Sequence, residues 1–126
     1  MTLSPFRVRA LIRKPVDRLA RKNSAGSAAN CAVAIKALNA DRCLSFTYEG
    51  LARIVEVHTV GVTTAGRPAM CAYQVDGSSN SGPVPDWRMF CFDECFDVTI
   101  TERSSSAPRS EHKRGAKQFR SIDREV

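Results

Sequence analysis

A chain of 126 residues with a formal net charge of +6 is about one domain's worth of sequence, so one core is expected rather than an array of domains. Five cysteines, an odd number, with no recognisable secretory signal point away from a disulfide framework and towards a reducing, cytoplasmic setting. No stretch approaches the roughly 20 apolar residues of a membrane span, which excludes an integral helical membrane protein as an expectation.

The charge is unevenly placed. Residues 1–29 carry seven basic side chains against one acidic, residues 30–101 five against eight, and residues 102–126 seven against four. The positive charge therefore belongs to the ends, where it attracts polyanions over a Debye length of roughly 8 Å without reading their sequence. A merely solvated tail accounts for it equally well.

Residues 1–29 are expected to be a basic arm without a fold of its own. Val8, Leu11, Ile12 and Leu19 recur among arginines in the manner of a mitochondrial transit segment, but Pro5 and Pro15 interrupt the pattern, and a flexible arm is preferred. Residues 24–30 are small and polar and read as a linker. A short helix over 31–38, capped by Ser27 or Asn30, opens the folded part, residues 30–101. Too short to persist alone in water, it needs a sheet to lean on.

From Cys43 the period becomes two. Leu44, Phe46 and Tyr48 alternate with Cys43, Ser45 and Thr47, predicting a strand over 43–48 that turns at Glu49-Gly50. The β-branched run 53–64 predicts a long second strand, with Gly61 marking a bend or a close backbone approach. Ala65-Gly66 turns into a third strand over 69–75. Residues 76–83 are a loop by composition, and 87–92 and 96–101 are two further strands.

Five short strands after one helix predict a mainly β fold, a small curled sheet or SH3-like barrel. In the polar extension, residues 102–126, Phe119, Ile122 and Val126 recur at three- and four-residue spacing. That spacing predicts a short amphipathic helix over 118–126 docking on the barrel, or else a frayed tail.

The runs Ile35-Lys36-Ala37-Leu38, Leu44-Ser45-Phe46-Thr47-Tyr48-Glu49-Gly50 and Arg53-Ile54-Val55-Glu56-Val57-His58 resemble the opening of a WYL domain, and Trp87-Arg88-Met89-Phe90-Cys91-Phe92-Asp93 is similar to its closing strand. Short stand-alone bacterial proteins of that type are resembled further by Gly61-Val62-Thr63-Thr64, by Gln74-Val75-Asp76-Gly77-Ser78-Ser79 and by Pro108-Arg109. The family's Trp-Tyr-Leu triplet falls at Pro68-Ala69-Met70, and Glu94 stands where a second arginine is usual. The resemblance implies an SH3-like or Sm-like barrel acting as a non-catalytic regulatory sensor, with single-stranded nucleic acid or a nucleotide as ligand and without a cofactor.

Arg53 and Arg88 match positions that face the ligand groove in that family, and a guanidinium fork suits phosphate. Tyr48 and Tyr73 offer flat faces to a base, worth ~1 to 3 kcal/mol per stack where one forms. His58 and Gln74 complete the candidate ligand-binding set. For each, the bland alternative is a solvated strand face, an ion pair with Glu56 or Asp93, or a core tyrosine with a satisfied hydroxyl.

Cys91 and Cys95 have the spacing of half a zinc site, but small buried thiols are the expectation. No nucleophile stands beside a base at a recognised spacing. The competing function is a protein-interaction adaptor, docking a partner on an apolar patch of Phe90, Phe92 and Phe96.

Overall fold

The computed structural model describes residues 24–80 and 82–126. Helix α1 (Ser24–Asn39) precedes strands β1 (Arg42–Tyr48), β2 (Leu51–Thr63), β3 (Pro68–Gly77) and β4 (Asp86–Cys91). A 3₁₀ turn (Phe92–Glu94) leads to β5 (Cys95–Ser104), and β6 (Phe119–Glu125) ends the chain. The protein is mainly β, one antiparallel sheet in the order β4-β3-β2-β1-β5, with β6 also pairing β2. Among the described residues no helix is long and apolar enough to cross a membrane.

The helix is longer than its sequence suggests. Alanines at 28 and 29 carry it back through the expected linker to Ser24, so Asn30 lies inside it rather than at its cap. The Asn30 side chain instead donates to the Phe92 and Cys95 carbonyls, both at 2.9 Å, pinning α1 to the 3₁₀ turn. At the other end Asp41 takes a left-handed conformation (φ 56°) as the last helical carbonyls are satisfied, and β1 begins.

The β1–β2 hairpin turns through Glu49 and Gly50, both at positive φ (54° and 77°), which is the twist a two-residue hairpin needs. β2 is the spine of the sheet. One edge pairs β3 along most of its length, while the other pairs β1 as far as Val55 and β6 from Thr59 onward. Without β6 that distal edge would present bare N–H and C=O groups.

A strand stands where the 118–126 spacing suggests a helix, and its register explains the difference. Between Phe119↔Thr63 and Ser121↔Val62, and again between Ile122↔Gly61 and Arg124↔Val60, β6 spends two residues for one on β2. Two bulges in seven residues stretch a period of two into an apparent period of three. The expected five-stranded sheet therefore has six strands, and residues 102–126 continue β5, cross the sheet and pair with β2.

Alternation along β2 sorts side chains between two faces. Val55 and Val57 join Leu44, Phe46, Met70, Ala72 and Phe90 beneath Ala34, Ala37 and Leu38 of α1, forming the core. Phe46 and Tyr48 each meet Phe90 edge-on, with ring centres 4.9 Å apart. The opposite face carries Glu56, His58, Cys71, Tyr73 and Trp87, and is covered by the strap of residues 105–118. A register step between Val57↔Ala72 and Thr59↔Cys71 leaves His58 as the extra residue of a bulge, so His58 and Thr59 are both presented to this covered face and both are fully buried.

Candidate functional site

The six residues singled out from sequence fall into two groups on opposite faces. Tyr48, Arg53, Gln74 and Arg88 lie on the helix side. Arg53 is 2% exposed, and its Nη1 donates to Gln74 Oε1 (3.3 Å) and its Nη2 to the Tyr48 carbonyl (3.1 Å). The guanidinium also lies 3.5 Å from Glu49 and over the Tyr48 and Phe90 rings. Gln74 is fully buried, and its amide donates to the Asp76 and Ser78 carbonyls. Neither residue offers a surface to a ligand arriving from solvent.

The Tyr48 hydroxyl accepts from the Cys91 N–H at 3.2 Å, and burial pushes its ionisation far above the usual phenol range. Arg88 is half-buried and donates to the carbonyls of Gly82 and Pro83 (3.3 and 2.6 Å), holding the β3–β4 loop. Burial, aided by the charge of Arg88, lowers the Arg53 pKa, while Glu49 opposes the shift. Glu94 pairs together with Asp93 against Arg67 (2.7 and 2.6 Å), tying the β2–β3 turn to the 3₁₀ turn. Phe90 and Phe92 are core residues and Phe96 is half-buried, so the three phenylalanines make no exposed patch.

His58 and Tyr73 belong to the covered face, where they form an aromatic cluster about Trp87, the sole tryptophan. Trp87 meets His58 at 4.6 Å and Tyr73 at 5.2 Å, both edge-on, and lies nearly parallel to His112 at 6.2 Å. Arg109 caps the cluster, with its guanidinium 4.6 Å from the Tyr73 ring centre.

Arg109 also grips Glu56, through Nε to Oε1 at 2.7 Å and Nη2 to Oε2 at 3.1 Å, and the Ser106 N–H adds a bond to Oε2 at 2.8 Å. Burial by itself would raise the Glu56 carboxyl, but these donors outweigh it and hold the group below its usual value. A depressed carboxyl stabilises the fold fully above its unfolded value of about 4.3, and that contribution is lost as pH falls through the folded value. Urea midpoints measured down the acid range should therefore drop below about pH 4 in the wild type and flatten in Glu56→Gln. An equal acid limb in both proteins would place the loss elsewhere.

Beside this cluster an open cleft of about 840 Å³ runs between the sheet and the strap. Its floor is Thr59, Cys71 and Trp87, and its far wall is residues 111–118, which bring Lys113, Arg114 and Lys117 to the opening against the single acid Glu111. Glu125 is engaged below the wall. It accepts from Thr59 Oγ1 (3.1 Å) and from the Gly115 N–H (3.1 Å), and it faces Arg114 (3.9 Å) and His112 Nε2 (3.3 Å). Arg114 also donates to the Val126 carbonyl.

The cleft sets one indole and three cations beside a single thiol, Cys71. Burial first, and then Glu125, push the Cys71 thiol up and away from the thiolate that nucleophilic chemistry needs. Burial likewise pushes the Cys95 thiol up to about 12. Among the described residues the cysteines are free, and no cluster of three or more His, Cys, Asp or Glu is placed to hold a metal ion.

Sequence reading passed over Thr59, Arg109, Lys113, Arg114 and Lys117 as site residues, raised Cys71 and His112 only as possible partners of a zinc half-site, and treated Trp87 as packing. Only Pro108-Arg109 carried a signal, through the family resemblance; the rest reach the cleft by strap and strand contacts far apart in sequence. Comparison with protein-family models, with curated proteins and with solved structures finds no match to this chain.

Proposed function

We propose that this chain is a non-catalytic, WYL-like sensing module on an SH3-like or Sm-like barrel, and that it binds a nucleotide-like anionic ligand in the cleft beneath the strap rather than on Arg53. The observation that carries the reading is the pairing of the Trp87 indole in the floor with three cations on the far wall of a cleft of about 840 Å³. A base can stack on that indole while phosphate meets Lys113, Arg114 and Lys117. Support for the barrel comes from the strand order, a meander in which β5 returns beside β1, with a helix before it and a 3₁₀ turn between β4 and β5. Closure would join β4 to β5, the two ends of that order.

The reading is tested with a fluorescein-labelled oligothymidylate titrated into the full chain and into a chain beginning at Ser24, at low and at physiological salt. Binding by the shorter chain should persist at physiological salt. The double substitution Lys113→Ala/Lys117→Ala should weaken it at least about tenfold and lower the salt slope by about 1.4, two contacts at roughly 0.7 each on a single strand. Binding confined to the full chain and collapsing with salt would move the interaction to the basic first residues and remove the cleft from the account.

A further inference from the structure

The imidazole of His58 is fully buried, and its two partners fix its state without ambiguity. Nδ1 lies 3.0 Å from the Glu56 carbonyl, which can only accept, and Nε2 lies 3.0 Å from the Arg109 N–H, which can only donate. The ring is therefore neutral and protonated at Nδ1, and its free lone pair holds the backbone of the strap. A proton on Nε2 would set one donor against another.

The strap has three anchors of different character, and in its middle the Glu125 carboxylate accepts from the Gly115 N–H and faces His112 and Arg114. At residues 106–109 it is held by His58 and Glu56. At its far end it is held by strand pairing, with Gln118 accepting from the Thr64 N–H and β6 lying along β2. Near neutral pH only the His58 bond of the first anchor depends on protonation; the Glu56 carboxylate stays ionised there, and strand pairing does not titrate.

We propose that residues 105–118 are a lid over the cleft, latched by the neutral imidazole of His58, and that proton uptake by His58 releases the lid while β6 stays docked. The consequence for ligand capture rests on the cleft reading above; the latch itself does not.

The groups facing His58 favour a sharp response. The strap contributes Arg109 and His112, the latter with its ring 5.1 Å away, and β4 contributes the uncharged Trp87. The carboxylate of Glu56, on its own strand, is already engaged by Arg109, and Glu125 of β6 lies beyond His112. Burial foremost, with the charges of His112 and Arg109, lowers the His58 pKa, while the bond to the Glu56 carbonyl and its carboxylate partly offset this. In the open lid the ring returns towards its ordinary value of about 6.5. The latch is thus complete above about pH 6.5, weakens as pH falls below it, and levels off once the latched ring itself protonates.

Hydrogen exchange of the full chain without ligand, from about pH 7.5 to about pH 5 and corrected for intrinsic exchange, reads the latch directly. Protection of residues 106–112, relative to β1–β3, should fall by up to about tenfold per pH unit below about 6.5, the slope of one-proton linkage. In His58→Gln the slope should vanish, and in His112→Gln it should persist.

A pH-independent ratio in the wild type, the same slope in His58→Gln, or a slope lost only in His112→Gln would each overturn the proposal. Should His58→Gln fail to fold, Arg109→Ala keeps the backbone donor but removes the guanidinium that grips Glu56 and repels the imidazolium. The latched ring should then protonate at higher pH, so the fall in protection should level off at higher pH than in the wild type, and an unchanged levelling-off point overturns the latch. Oligothymidylate binding that survives while the slope is absent would keep the cleft and discard the switch. The slope without any binding would do the reverse.

Discussion

Arg53→Ala is expected to lose about 3 kcal/mol of stability, on the order of 15 °C in Tm for a domain of this size, without any ligand being present. The side chain is 2% exposed and its guanidinium lies over both the Tyr48 and the Phe90 rings, so its removal leaves a void beside them. It also strands the buried Gln74 Oε1 and takes a donor from the part-buried Tyr48 carbonyl. An unsatisfied buried acceptor costs about 1 to 3 kcal/mol, which is why the loss exceeds that of truncating an exposed arginine. Arg53→Lys should recover only part of it, since one ammonium cannot span both acceptors in the planar fork. Arg88→Ala, half-buried and bonded to the loop carbonyls of Gly82 and Pro83, should cost less, about 1 kcal/mol. Thermal melts followed by circular dichroism decide the matter. An Arg53→Ala chain that melts with the wild type would mean that the guanidinium is available after all, and would return the ligand to the helix side of the sheet.

That test separates what local pattern can reveal from what it cannot. The β1–β2 hairpin was legible because its determinants are neighbours: Leu44, Phe46 and Tyr48 alternate, and Glu49-Gly50 supplies the two positive-φ residues. The same alternation places Arg53 on a strand but leaves open which face is covered, and here both faces are. Arg53 is buried on the helix side, and Glu56 and His58 are buried on the other, where the strap bonds to both. β6 misled for a more specific reason, since its two bulges put Phe119 and Ile122 at a spacing that a helix would use. The cleft was nearly invisible because its floor comes from β2, β3 and β4 while its wall is a segment of irregular backbone some fifty residues beyond β2, bound there by Glu56, His58 and Glu125. Gly61 was the one local sign that something passes close to the distal half of β2.

Gly61→Ala should therefore have an effect that reaches far beyond a single methyl group. A Cβ at that position would lie 2.2 Å from the Ser121 carbonyl oxygen and 3.0 Å from the Ile122 Cα, both backbone atoms that no rotamer change can move aside. Phe119 Cδ1, at 3.1 Å, closes the remaining space. The requirement here is room rather than backbone conformation, so β6 must shift away from β2 or leave it. Overpacking of this kind typically costs about 1 to 3 kcal/mol where a structure can adjust, and β6 can adjust only by giving up its register. With it go the Val126 N–H bond to the His58 carbonyl, the Thr59–Glu125 bond and the tether from Gly115 to Glu125. Most of the core under α1 lies on β1–β5 and the 3₁₀ turn and should survive. The expected result is a chain that still unfolds cooperatively, with a red-shifted Trp87 emission, rapid amide exchange across residues 105–126 and oligothymidylate binding reduced at least about tenfold, the equivalent of 1.4 kcal/mol. Retained protection across 119–125 in Gly61→Ala would mean that β6 does not cross β2 at this glycine. The cleft, whose far wall β6 holds in place, would then have to be rebuilt on a different register.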